Sequence, residues 1–373
     1  DNGGRDIALR FDLTVPLARF AAQHVGRLGT PFKRYHVGPV WRGENPQRGR
    51  YREFVQFDFD TIGTESLLSD IETLVVVHDL FAALNLSEFT VHFNNRHLLN
   101  GLLERLDLEH QSAAVLRVLD KLPKTGAAAM RTELTDALGV SGSQADAILA
   151  LADVEGGNDE IVAALPDIVG DSATARSGLE AIETVLTGAR ASGVPESRIR
   201  VDVSIARGLA YYTGTVFETF LTDLPGIGSV CSGGRYDDLA SLYTKQRLPG
   251  IGGSLGVDRL VAAMEELGRV DESAAAAAVF IPLFVADRAT DYLELATRLR
   301  AAGLTVELYP EARKLGAQMK YADRRGHRLA IVIGDNEWEA GTAQVKVMDT
   351  ATSQEIRLDD IVERCIALLE AGG

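Results

Sequence analysis

Between Phe54 and Asp60 the chain alternates without interruption, Phe-Val-Gln-Phe-Asp-Phe-Asp. Strand side chains change face at each residue, so Phe54, Gln56, Asp58 and Asp60 share one face and Val55, Phe57 and Phe59 the other. A second apolar-alternating run precedes it after Arg34, and the loop between them carries Arg42, Arg48, Arg50 and Arg52 with Glu44 among them. The pair predicts an antiparallel hairpin with a long polar loop, one face core and the other a surface that holds something.

Other stretches have their own periods. Ile7 to Thr14 alternates and predicts a strand with Leu9 and Phe11 on one face and Arg10, Asp12 and Thr14 on the other, ended by Pro16 ahead of a short helix from Leu17 to Val25. Asp12 serves equally as a cap for that helix. Ser66 to Leu84 repeats apolar residues at threes and fours, as a helix does. Phe89 to Phe93 predicts a strand and Arg96 to Leu106 a helix. From about Glu109 to Pro195 the chain is rich in Ala and Leu, shows no strand pattern and is broken by glycines, which predicts a helical insertion.

Strand patterns return near Ile199, with a turn at Gly208 and a second strand that puts Tyr212, Gly214, Val216 and Glu218 on one face. Being adjacent, Tyr211 and Tyr212 are expected to point to opposite faces. SVCSGGRYDDL predicts a further strand and a glycine-flanked turn before a helix. GIGGSLGVDRL predicts a glycine-rich loop ahead of a helix with Arg259 in its first turn, suited to a ligand or to close packing. After a low-complexity joint at Ser273 to Ala278, strands and helices alternate to the end, an α/β layout with a partly parallel sheet.

Length and composition set bounds on this reading. At 373 residues, 46% hydrophobic and 24% charged, the chain is long enough for two or three domains of ordinary globular composition. It has no apolar run of membrane-spanning length and only two cysteines, too few for a disulfide framework or a tetrahedral metal site, so the cytoplasm is the expected location. A net charge of -15 argues against indiscriminate nucleic-acid binding but leaves room for local basic patches. One such patch is Arg313, Lys314, Lys320, Arg324, Arg325 and Arg328, either a solvated face or a footprint for an anionic partner. With no initiator Met, the natural protein is expected to start earlier.

The hairpin loop offers arginines for phosphate and Phe54 for stacking a base, while Gln56 and Asp60 can accept from an ammonium group or a polar ring. A nucleotide beside an amino acid would satisfy the whole face. Arg42-Gly-Glu44 followed by Arg50 and Phe54 resembles motif 2 of the class II aminoacyl-tRNA synthetases. GIGGSLGVDRL resembles their motif 3. ARGLAYYTGTVFE and SVCSGGRYDDL are similar to the two signature segments of the histidyl-tRNA synthetase family, and KLGAQMKYADRRGHRLAIVIGDNE resembles that family's C-terminal anticodon-binding domain.

The resemblance implies an α/β chain with an α+β catalytic domain. Its antiparallel sheet, flanked by helices, would occupy residues 1–108 and 198–271, with a helical insertion at 109–197 and an α/β anticodon-binding domain at 279–373. It implies ATP-dependent activation of histidine and transfer to tRNA(His). Arg42 and Arg207 would serve the α-phosphate, Arg50 and Arg259 the outer phosphates, Glu44 the adenine amino group and Phe54 the ring's face. Asp12, Thr14 and Gln56 would receive the ammonium, Asp60 and Tyr212 the imidazole, and Arg235 and Tyr236 would close the amino-acid pocket. Mg2+ is expected mainly on the ATP phosphates, the tRNA anticodon stem on Arg313, Lys314, Lys320, Arg324 and Arg325, and a homodimer with no membrane partner. The chain departs from many members in having Ala210 in place of Asp, and motif 1, which builds the family's dimer interface, is not present. Two non-catalytic relatives of this fold stand as alternatives, the regulatory subunit of ATP phosphoribosyltransferase and a tRNA-sensing domain.

Overall fold

The structure, a computed structural model, describes residues 3–4, 6–119, 122–151, 154–205, 211–270 and 277–371, with nothing said of the side chains of 122–124. The chain divides into two compact units, Asp1–Arg269 and Val270–Gly373.

The first unit is built on a seven-stranded sheet. Its strands are β1 (Phe32–Trp41), β2 (Glu53–Ile62), β3 (Phe89–Asn95), β4 (Ile199–Val201), β5 (Thr215–Leu221), β6 (Ser229–Arg235) and β7 (Gly250–Gly256), in the order β1-β2-β7-β6-β5-β3-β4. All neighbours are antiparallel except β3 and β4. The hairpin β1–β2 pairs from Phe32 opposite Ile62 to Trp41 opposite Glu53 without a slip. Phe57 and Phe59 pack against the main core with helix Leu67–Ala83, while Gln56, Asp58 and Asp60 on the other face are also buried. Buried polar groups in a row on an open sheet face mark a cleft rather than a solvated surface.

Residues 6–12 form no strand. Ile7 and Leu9 are each 68% exposed, and among the described residues a single backbone bond, Trp41 N–H to the Arg10 carbonyl, joins the segment to β1. Pro39 of β1 has no N–H to continue a ladder, and its carbonyl is taken by Arg10 Nε at 2.9 Å. The following helix runs Thr14–Leu28, longer than its apolar pattern, with Pro16 in the first turn, where a missing N–H costs nothing.

The glycine-rich stretch predicted as a loop is the inner strand β7. A Cβ at Gly252 would lie 2.2 Å from Asp60 Oδ1, one at Gly253 2.6 Å from the Phe59 ring and one at Gly250 2.3 Å from the Tyr236 ring. These glycines serve close packing. Gly233 and Gly234 likewise lie inside β6, and a 3-10 turn, Leu239–Leu242, follows where a helix was expected.

Residues 112–191 are helical wherever they are described, apart from short connections. The last of these helices, Ala173–Ala191, packs on helices Leu67–Ala83 and Arg96–Arg105 and shares their core. Its contact with Arg96–Arg105 is close in both directions: a Cβ at Gly178 would meet Leu98 N at 2.4 Å, and one at Gly101 would meet Ala175 at 2.6 Å.

The second unit holds β8 (Val279–Ile281), β9 (Val306–Leu308), β10 (Leu329–Val332), β11 (Thr342–Val347) and β12 (Ser353–Arg357) in the order β12-β11-β10-β8-β9. β10, β8 and β9 are parallel, and β11 and β12 antiparallel. Helices Ala289–Ala301, Leu315–Arg324 and Ile361–Ala371 accompany the sheet. The joint's Ser273 to Ala276 lie outside the described residues. Among the described residues no helix is long and apolar enough to cross a membrane.

Candidate active site

Strand pairing assembles the cleft floor from distant parts of the chain. One polar row crosses the sheet, His36 opposite Asp58, Asp58 opposite Ser254, Ser254 opposite Ser232 and Ser232 opposite Glu218. Cross-strand partners project to the same side, so these groups share one face.

Two compartments open on that face. The first, about 90 Å3, is lined by Arg42, Glu44, Arg50, Phe54 and Arg259 among others. The second, about 200 Å3, is lined by Asp12, Thr14, Tyr211, Tyr212 and Glu218 among others. Arg42, Gln56, Ser232 and Ser254 line both and mark where they meet.

The first compartment is cationic. Arg259, in the first turn of helix Val257–Glu266, is half-buried and pinned by its donors to the carbonyls of Gly49 (3.3 Å) and Ser229 (2.6 Å). Burial, with Arg50 and Arg42 close by, pushes its guanidinium below the ordinary arginine range. Arginines held this close together favour an anion between them. Arg42 donates to the Phe11 carbonyl at 3.0 Å and lies 5.0 Å over the Phe54 ring, so one face of that ring is taken. Glu44 and Arg50, expected to serve adenine and the outer phosphates separately, pair with each other. The pair is part-exposed, of the kind worth at most about 1 kcal/mol, and an arriving triphosphate displaces it cheaply.

The second compartment is acidic. Asp12 does both things open to it: Oδ1 caps the helix by accepting from Val15 N–H at 3.1 Å, and Oδ2 accepts from Tyr211 at 3.1 Å at the cavity wall. Burial raises its carboxyl above the usual range. Tyr211 and Tyr212 line the same cavity, their rings 5.0 Å apart edge to face, because they lie before β5 rather than in it and strand alternation does not apply.

Three residues expected at the amino acid stand behind the wall instead. Asp60 is buried, opposite Arg34 and 2.9 Å from its guanidinium, and accepts from Tyr236 Oη at 2.6 Å. Arg235 pairs with Asp70 and Asp237 and donates to the carbonyls of Thr64 and Ser66, tying β6 to the start of helix Leu67–Ala83. Burial pushes Asp58 up to about 7 and Asp60 up to about 6. Sequence reasoning missed Ser232, Ser254 and Arg34 as site residues, since only the register brings them together. Arg207 and Ala210 lie outside the described residues.

In the second unit Arg313, Lys314, Lys320, Arg324 and Arg325 are exposed along helix Leu315–Arg324 and its ends. Arg313 pairs with Glu311, and among the described residues the other four have no ion pair. Arg328 instead turns to the Leu369 carbonyl.

An acidic compartment joined to a cationic one on the open face of an antiparallel sheet, with an arginine hairpin at the join and a separate small α/β unit, is the architecture of a class II aminoacyl-tRNA synthetase. The profile of the histidyl-tRNA synthetase family matches residues 1–260, and that of an anticodon-binding domain matches residues 278–368. The chain is 57% identical over 371 residues to a histidine--tRNA ligase of Rhodopirellula baltica, spanning 100% of this chain and 84% of that one. A crystal structure of histidyl-tRNA synthetase from Nostoc sp. PCC 7120 superposes with a TM-score of 0.82 at 34% identity, covering 96% of this chain and 84% of that one. A Bacillus halodurans structure described as an ATP phosphoribosyltransferase regulatory subunit/histidyl-tRNA synthetase gives 0.70 at 24% identity over 86% and 79%, a likeness of fold alone. The chain belongs to the histidyl-tRNA synthetase family.

Proposed function

We infer that the chain is a histidine-tRNA ligase that activates histidine with ATP and transfers it to the 3′ end of tRNA(His). The observation that carries this is the junction at Arg42, Gln56, Ser232 and Ser254. An aminoacyl-adenylate forms only where an amino acid's carboxylate meets the α-phosphate of ATP, and here an acid-lined compartment suited to an ammonium group meets an arginine-lined one suited to phosphates.

Histidine lies in the second compartment with its ammonium toward Asp12, Thr14 and Gln56 and its imidazole toward Tyr212. Asp60, held by Arg34 and Tyr236, acts from behind the wall. The carboxylate attacks the α-phosphorus and pyrophosphate leaves. Charge grows on the α-phosphoryl oxygens, so Arg42, fixed beforehand, lowers the barrier, with Arg207 proposed to assist. Arg50 and Arg259 hold the outer phosphates, Glu44 the adenine amino group and Phe54 the ring. The terminal ribose of tRNA(His) then takes the histidyl group and AMP leaves. Mg2+ would be held mainly by the ATP phosphates and would supply charge neutralisation there, which suits a wall richer in arginine than in carboxylate. Arg313, Lys314, Lys320, Arg324 and Arg325 are the proposed tRNA footprint, and a cytoplasmic homodimer is the proposed working form.

Exchange of labelled pyrophosphate into ATP, without tRNA, tests this. Exchange with histidine alone among the amino acids is the expected result. No exchange while histidine still binds would overturn it in favour of the regulatory-subunit or sensor reading.

A further inference from the structure

Asp58 lies directly behind the junction. It is 1% exposed, and its Oδ1 has no hydrogen-bond partner. Ser254 is its partner across the β2–β7 ladder, so the two side chains share a face, and the nearby hydroxyl favours the charged form of the carboxyl. Ser254 Oγ in turn accepts from Gln56 Nε2 at 2.6 Å, which leaves Gln56 Oε1 buried and without a partner at a residue that lines both compartments.

The chain of donors has a direction. An ionised Asp58 accepts from the Ser254 hydroxyl, Ser254 can then only accept from the Gln56 amide, and the amide oxygen is left for a ligand's donor. A protonated Asp58 donates to Ser254, whose own hydrogen turns toward Gln56. The amide is then held by its oxygen and presents its NH2 to the cavity, facing an ammonium with another donor.

We infer that Asp58 is a positioning residue for histidine activation: through Ser254 it fixes which end of the Gln56 amide meets the ammonium group of the incoming amino acid. This rests on the ligase reading above. The groups around Asp58 belong to several elements. They are Asp60 on its own strand, Arg34 and the register partner His36 on β1, Asp12 ahead of the first helix, Tyr212 before β5 and Cys231 on β6. Burial, with Asp60 and Asp12, opposes the charged form, while the Ser254 hydroxyl and Arg34 favour it, and the balance raises the carboxyl to about 7. The device therefore changes state within the physiological range.

The test is the KM for histidine in pyrophosphate exchange from about pH 6 to about pH 8.5, for the unaltered chain, Asp58→Asn and Ser254→Ala, with the KM for ATP alongside. Histidine's own imidazole titrates near 6.5 and contributes equally to all three. At high pH the unaltered chain should have a KM for histidine about tenfold below that of Asp58→Asn, the size of one hydrogen bond to a charged group, and the two should converge at low pH. Ser254→Ala should follow Asp58→Asn in the KM for histidine, and in Asp58→Asn, whose side chain lines neither compartment, the KM for ATP should stay within about twofold, a pattern that a general loss of packing would not produce. Parallel profiles for the unaltered chain and Asp58→Asn would overturn the proposal. If Asp58→Asn fails to fold, Ser254→Ala decides, and a profile parallel to the unaltered chain overturns it equally. If the unaltered chain shows no exchange, the ligase reading fails separately, and histidine affinities from calorimetry supply the same three-way comparison.

Discussion

Tyr236 Oη donates to Asp60 Oδ1 at 2.6 Å from within the core, not from the amino-acid cavity. The tyrosine therefore fixes a carboxyl that Arg34 holds from the other side. Tyr236→Phe should destabilise the fold by about 1 to 2 kcal/mol, the cost of leaving a buried acceptor short of a donor. It should alter the KM for histidine more than that for ATP. Urea unfolding and exchange kinetics check both parts, and an unchanged midpoint would count against the bond.

The two buried carboxyls set a pH trend. Asp58 at about 7 and Asp60 at about 6 both hold protons to higher pH in the folded chain than in the unfolded one. The folded state thus binds more protons between about pH 4 and pH 7, so stability falls as the pH rises through that window. Asp58→Asn should flatten the slope and stabilise the ligand-free chain at pH 8. Denaturant unfolding at about pH 6 and pH 8 gives the answer, and a steeper slope in the variant would contradict it.

Gly252 has no room for a methyl group, since its Cβ would lie 2.2 Å from Asp60 Oδ1 and 2.5 Å from the Phe59 carbonyl. Gly252→Ala should cost about 2 kcal/mol or more. Gly256, whose Cβ would meet nothing nearer than 3.7 Å, should tolerate the same change far better. Comparing the two melting temperatures separates crowding from any general intolerance of β7.

On the second unit, Arg324→Glu combined with Arg325→Glu should raise the KM for tRNA about tenfold or more while leaving pyrophosphate exchange unchanged, because exchange needs no tRNA. A parallel loss in both assays would instead place these arginines outside a tRNA footprint.

The hairpin, helix Leu67–Ala83 and the two faces of β2 were legible because local period alone decides them. The arginine compartment was legible too, since its residues cluster in one loop and one helix start. Arg235, Tyr236 and Asp60 were expected at the amino acid, whereas the side chains they contact, Asp70 for Arg235 and both Arg34 and Tyr236 for Asp60, come from distant segments that local period does not reveal. The 6–12 segment misled because its alternation was real while its neighbour, Pro39, could not complete a ladder. Gly250–Gly256 misled in the opposite sense, as spacing cannot distinguish glycines freed for a ligand from glycines demanded by Tyr236, Asp60 and Phe59.

The mutual close approach of Gly178 to Leu98 and Gly101 to Ala175 also limits how the helical segment can be exchanged. A graft or deletion that removed residues 109–197 as a cassette would strip out helix Ala173–Ala191 and leave the backs of two retained helices bare. Helix Asn158–Val169 is held to the retained part as well, through Asn158 to the Ile199 carbonyl and the Val201 N–H, so chimaeras that keep residues 158–197 should fold while those cut at Pro195 should aggregate.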